Sequence, residues 1–144
     1  MTMMAVGIGC LKLVAIGIWL LCSSRAIRTT TAEDVYPLCS VEKVSTGDPL
    51  AIAIEHLMWN LVEAGPKLAS NPGAISCYDQ HDHGPNGDAW AYGSVACTVK
   101  DAAACNACLA YAIHTVSDGC LDCRGAQVAL PECFLRYEAY RYCD

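Results

Sequence analysis

Two kinds of residue pattern could carry chemistry in this chain. Cys105-Asn-Ala-Cys108 and Cys120-Leu-Asp-Cys123 both have CxxC spacing, which serves zinc clasps and thiol redox pairs. Eleven residues separate the two pairs, short of the roughly 15 to 20 of a common four-cysteine zinc pattern. Helical periodicity puts Cys105 and Cys108 on an apolar face, whereas a redox CxxC needs an exposed helix start that lowers the thiol pKa. Both pairs therefore read as structural bridges. In the stretch YDQHDHGPNGD, Asp79, His81, Asp82 and His83 alternate carboxylate and imidazole, which can converge on one ion. No further histidine is near in sequence, so the stretch reads as a polar, exposed loop tip without a metal. His56 and His114 fall on predicted helices and read as surface or packed side chains. There is no G-x-S-x-G elbow, nucleotide loop, defensible carboxylate pair or glycosylation sequon. The expectation is a binding protein with no catalytic residues, no enzymatic activity and no cofactor.

What must hold such residues in place is set by the cysteines. Of eleven in the 144-residue chain, nine (Cys39, Cys77, Cys97, Cys105, Cys108, Cys120, Cys123, Cys133 and Cys143) lie beyond an N-terminal leader. The leader is an unbroken apolar run from Leu13 to Cys22, preceded by Lys12 and followed by Ser23-Ser24-Arg25. That is the layout of a secretory signal peptide over residues 1–26, with cleavage after Ala26 and alternative exits at Ser24 and Ala32. A membrane anchor would need roughly 18 to 20 apolar residues, and Lys12 splits the stretch. A secreted chain this small with nine cysteines implies a disulfide framework. Nine is odd, so at least one thiol is left free or pairs with another chain.

Charge narrows the partners. From Ile27 onward seven basic residues face fifteen acidic ones, a net charge of −8. Nucleic acid and anionic membranes are excluded as partners on this count. The acids are scattered, which reads as a solvated surface.

The elements follow from capping and period. Residues 27–36 are polar and Thr-rich and read as a flexible lead-in to a single domain over 37–144. Asp48-Pro49 offers an N-cap and a first-turn proline, and Leu50, Ile54, Leu57, Met58, Leu61 and Val62 recur at helical spacing until Gly65-Pro66. Residues 67–87 read as loop, with a short strand at Ala74 to Tyr78. Trp90 to Thr98 reads as a strand. Asp101 caps a second helix whose face carries Cys105, Cys108, Leu109, Ala112, Ile113 and Val116, ending near Asp118-Gly119. Two last strands are expected at Ala126 to Leu130 and Glu132 to Tyr142. Without strand-helix-strand alternation, this order predicts an α+β fold, a small antiparallel sheet covered by two helices.

Taken as one string, Ala91-Tyr92-Gly93, then Cys97-(7)-Cys105-(2)-Cys108, Cys120, and Cys133-Phe134-Leu135-Arg136-Tyr137-Glu138, the second half resembles the ginkbilobin-type plant domain. This is the stress-antifungal domain also found in the extracellular parts of cysteine-rich receptor-like kinases and plasmodesmata-located proteins. Cys39, Thr46-Gly47-Asp48-Pro49 and the first helix extend the resemblance over the whole domain. The family's first pair is spaced by eight residues, here by seven. The resemblance implies two helices packed on a five-stranded antiparallel sheet. It also implies bridges Cys39–Cys120, Cys97–Cys105 and Cys108–Cys133, leaving Cys77, Cys123 and Cys143 outside the pattern. A fourth bridge between Cys123 and Cys143 is one reading of the remainder.

A single copy with no following span or kinase resembles the free secreted antifungal members, so the expected location is the apoplast. The family's mannose site is an Asn after the first cysteine, an Arg in the strand before the fifth-strand cysteine, and a Glu in the last strand. Those positions align with Ser40, Gln127 and Glu138. An amide, a guanidinium and a carboxylate suit adjacent sugar hydroxyls. Only the Glu is kept, and hydrogen bonds to the neutral replacements are worth only about 0.5 to 1.5 kcal/mol each. Arg124 and Arg136 are near in sequence and could replace the lost guanidinium. The expected partners are thus mannose or a fungal cell-wall glycan. The alternative is an extracellular protein-interaction module without lectin activity, linked as a homodimer through the odd cysteine. A third idea is redox sensing through Cys77, Cys123 or Cys143.

Overall fold

Two aspartates start the long helices. In the computed structural model, which describes residues 35–144 apart from Pro85 and Leu121, the Asp48 carboxylate accepts the Leu50 N–H at 2.9 Å. Pro49, which has no N–H to lose, opens helix α1 (Pro49–Val62). The Asp101 carboxylate accepts the Ala104 N–H at 2.7 Å and opens α3 (Ala102–Gly119). Such side-chain caps satisfy backbone donors that the first helical turn leaves unpaired. The leader expected over residues 1–26 and most of the lead-in lie outside the described residues. Among the described residues, no helix is long and apolar enough to cross a membrane.

Five strands form one antiparallel sheet in the order β1-β4-β5-β3-β2: β1 (Leu38–Cys39), β2 (Ser76–Gly84), β3 (Gly87–Cys97), β4 (Gly125–Ala129) and β5 (Cys133–Glu138). Period-two alternation divides each strand between two faces. Cys133, Leu135 and Tyr137 of β5, with Ala91, Val95 and Cys97 of β3, are buried toward the helices. α1 contributes Leu57 and Leu61 to this core, and they rest where β3 has Gly93. A Cβ there would stand 3.0 Å from Leu61 Cδ1 and 3.1 Å from Leu57 Cδ2. The glycine lets helix and sheet approach.

The expected α+β fold is present, with three differences. Gly65-Pro66 ends the first helix but also begins a short one, α2 (Gly65–Ala69), since proline is accepted at a helix start. Gly65 lies so close to Asn106 of α3 that any side chain would overlap it. The stretch expected as loop with a short strand at Ala74 to Tyr78, residues 67–87, contains all of β2, which begins at Ser76 and runs on to Gly84. Beyond Tyr78, which packs against the core, its helix-facing residues Gln80 and Asp82 are polar but satisfied. Asn60 Nδ2 donates to Gln80 Oε1 at 2.9 Å, and His56 Nδ1 meets Asp82 Oδ1 at 2.8 Å. The last strand is shorter than expected, stopping at Glu138, and residues 139–144 turn back over the sheet's open face.

Among the described residues, four disulfides bolt the elements together. Cys97–Cys105 ties β3 to α3, Cys108–Cys133 ties α3 to β5, and Cys39–Cys120 ties β1 to the end of α3. The fourth is Cys77–Cys143. The reading that joined Cys123 to Cys143 is therefore corrected. Cys143 folds back to β2, while Cys123 lies buried, 3% exposed, on the opposite, helix-covered side.

Candidate functional site

The open face of the sheet carries side chains from β1, β4, β5 and β3, and register decides which meet. Leu38 stands opposite Gln127, and Gln127 opposite Arg136. One row along, Gly125 stands opposite Glu138, which stands opposite Tyr92. Ser40 continues the β1 register, its N–H donating to Gly125 O at 2.8 Å. Gln127 on β4, Glu138 on β5 and Ser40, just past the end of β1, are therefore neighbours in register around Gly125. Gln127 and Glu138 are diagonal neighbours, a relation that spans about 7 to 8 Å in an antiparallel pair.

Glu138 is the centre of this group. Its Oε1 accepts from Arg136 Nε at 3.1 Å and Nη2 at 3.0 Å. Its Oε2 lies over Gly125, where a Cβ would collide with it. The missing side chain at Gly125 is what makes room for that oxygen. Arg136 is drawn in further: Nη2 also donates to Tyr140 Oη at 3.3 Å, and its guanidinium lies 4.3 Å from the Tyr142 ring centroid. Partial burial alone would lower the Arg136 pKa, but the hydrogen bonds and charge of Glu138 outweigh it, and the group stays firmly charged. Ser40 Oγ donates to Glu42 O at 3.0 Å, and Arg124 approaches Glu42 at 3.5 Å. Of the two candidate substitutes for the lost arginine, only Arg136 reaches the group.

Residues 139–144 wall this site. Cys143 is bonded to Cys77 of β2, and the Tyr142 hydroxyl is hydrogen-bonded to Ser94 Oγ at 2.9 Å and to Arg136 O at 3.0 Å. Burial raises the Tyr142 pKa, and the Ser94 bond only partly offsets it. Beyond Tyr92 an aromatic run follows β3 and β2. Tyr92 and Trp90 centroids are 6.3 Å apart, and Trp90 stacks on His81 at 4.3 Å and 10°. Sequence reasoning missed Tyr92, Tyr140 and Tyr142 as parts of the site. The Ala91-Tyr92-Gly93 string pointed to a family and not to a face, and the tail's return depends on a bridge between distant cysteines.

The loop reading of Asp79, His81, Asp82 and His83 is corrected as well. They lie on β2, where alternation sends Asp82 toward α1 and His81 and His83 to the open face. Partial desolvation pushes the Asp82 carboxyl up, but hydrogen bonds from His56 and Gln80 hold it below its ordinary value. His114 pairs with Asp118 at 3.0 Å on exposed α3 surface.

A second concavity lies on the helix side. α1, α3 and the Cys123 region enclose an apolar groove of about 710 Å³, lined by Val44, Ile54, Met58, Trp59, Ile113 and Tyr137 among others. Trp59 is 67% exposed beside it.

The family model described as salt stress response/antifungal matches residues 38–140. Among solved structures, the fold resembles the tandem DUF26 ectodomain of the Arabidopsis thaliana cysteine-rich receptor-like protein PDLP5, at a TM-score of 0.61 and 19% identity over 74% of this chain and 50% of that one. It also resembles the corresponding ectodomain of Arabidopsis thaliana PDLP8, at a TM-score of 0.59 and 21% identity over 73% of this chain and 48% of that one. The chain thus spans about half the length of these ectodomains, and the likeness is one of fold. No curated protein matches it in sequence. With a match running from β1 past the end of β5 and a shared fold, this chain belongs to the salt stress response/antifungal family, the ginkbilobin-like DUF26 domains.

Proposed function

We propose that the chain is an extracellular, non-enzymatic defence domain that binds a neutral hexose of the mannose type, free or as part of a fungal cell-wall glycan, on the open sheet face around Glu138. The observation that carries this reading is the Arg136–Glu138 pair set against Gln127 and Gly125. The guanidinium comes from β5 in place of the expected position on β4. Glu138 Oε2 can accept from one sugar hydroxyl, and Gln127 can both donate and accept. Tyr92 and Tyr140 offer apolar ring surface beside these polar groups, a combination common to ligand sites. Four disulfides fit an oxidising compartment such as the apoplast.

Calorimetric titration of the purified, oxidised chain with mannose and mannan tests it. Saturable binding is expected, weakened about ten- to a hundredfold in Glu138→Ala, since hydrogen bonds to a charged group contribute about 1.5 to 3 kcal/mol each. No heat of binding with any neutral or acidic sugar would refute the reading.

A second reading, a protein-interaction module, is favoured by the exposed Trp59 beside the apolar groove. Its first candidate partner is a second copy of the chain. Cys123 is the one free cysteine among the described residues and is buried, so such a dimer would be held by the groove and not by a disulfide. Sedimentation showing a dimer that Trp59→Ala dissociates would support it; a monomer at high concentration would count against it.

A further inference from the structure

The turn end of the β2–β3 hairpin gathers two imidazoles and a carboxylate on one face. His81 and His83 are two residues apart on β2 and so point the same way. Antiparallel register sets Asp88 opposite His83 and Trp90 opposite His81. His83 Nδ1 lies 2.7 Å from Asp88 Oδ1, and His81 Nε2 lies 3.8 Å from Asp88 Oδ2. One nitrogen from each ring and one carboxylate oxygen all fall within 4.8 Å of one another.

Two features separate this cluster from the chain's other histidine–carboxylate pairs. His56–Asp82 and His114–Asp118 each join one ring to one carboxylate. Here a single carboxylate turns an oxygen toward each of two rings. The His81 ring is also held by stacking on Trp90, and His83 packs edge-on against His81 at 4.3 Å. The rings are thus positioned before any ligand arrives. Ligands bonded to one ion at about 2.0 to 2.2 Å stand about 3 to 3.5 Å apart, so closing this set needs small side-chain movements at an exposed strand end. Imidazole with one carboxylate selects zinc, copper or nickel over calcium and magnesium, which prefer oxygen shells.

We propose that His81, His83 and Asp88 form a surface site for a single divalent transition-metal ion of the zinc and copper class, with water completing its coordination. The site is independent of the sugar-binding reading and shares none of its residues. Among the described residues no free thiol shares this face, since Cys77 and Cys143 are bonded to each other and the free Cys123 is buried on the other side.

The test is titration of the oxidised chain with copper(II) or zinc(II) chloride in a non-coordinating buffer. Copper is followed by tryptophan fluorescence and by the nitrogen hyperfine pattern of its electron paramagnetic resonance spectrum, zinc by calorimetry. One ion per chain is expected, with quenching of Trp90 and two nitrogens bound to copper. His81→Ala, His83→Ala and Asp88→Asn should each weaken binding at least about tenfold, while His114→Ala leaves it unchanged. Far-ultraviolet circular dichroism verifies that each variant is folded, which the exposure of His83 and Asp88 favours. Equal loss in His114→Ala, a stoichiometry above one, or affinity indifferent to His83→Ala and Asp88→Asn would overturn the site.

Discussion

Tyr137 shows how much a single hydroxyl can be asked to do in a small core. Its ring is buried beneath the sheet, and its O–H donates to Cys123 O at 3.1 Å. Burial, with the nearby charges of Glu138 and Asp122 adding to it, raises its pKa above the ordinary tyrosine value of about 10. The folded state therefore keeps a proton that the unfolded chain gives up, so stability is complete below pH of about 10 and falls as pH rises beyond it. Urea unfolding of Tyr137→Phe should show a loss of about 1 kcal/mol at pH 7. The variant should also lose less stability than the wild type between neutral and alkaline pH. The buried side of β5 was legible in the sequence from the alternation of Cys133, Leu135 and Tyr137. On its other side the sequence offered Ser40, Gln127 and Glu138 by alignment, with Arg124 and Arg136 as candidate substitutes; period two on β5 sets Arg136 beside Glu138, but that Arg124 turns instead to Glu42 shows only in the fold.

Between elements, the disulfides carry cohesion that the packing alone does not supply. Cys97–Cys105 closes a short loop, separation 8, whereas Cys77–Cys143 closes one of separation 66. If a bridge acts by restricting the unfolded chain, the first contributes about 2.5 kcal/mol and the second about 4. Thermal unfolding of the paired-serine variants should follow that order, with Cys77→Ser/Cys143→Ser the less stable, and its tail should come off the sheet. The helices were readable because Asp48, Pro49 and Asp101 cap apolar stripes of helical period. β2 was readable only as far as Tyr78, because its later inward residues Gln80 and Asp82 are polar and gain their partners from Asn60 and His56 of α1. A strand that satisfies polar groups across a helix has no alternation of hydrophobicity to betray it. Asp88 and Trp90 joined the histidines for the same reason, through pairing with a strand whose mate had looked like a loop.

At the scale of the molecule, the two faces of the sheet do different work. One is sealed by α1 and α3 and by three of the four bridges. The other stays open, and the fourth bridge folds the chain's last residues onto it so that Tyr140 and Tyr142 frame the Arg136–Glu138 pair. The acidic balance suits a neutral glycan better than an anionic partner. The most direct test is a nuclear magnetic resonance titration of the nitrogen-15-labelled, oxidised chain with mannose. Binding at the open face predicts saturable shifts of the Ser40, Gln127, Arg136 and Glu138 amides and of the Arg136 side-chain N–H, with Ile54, Met58 and Ile113 unmoved. Shifts confined to those groove residues, or none at saturating sugar, would contradict it.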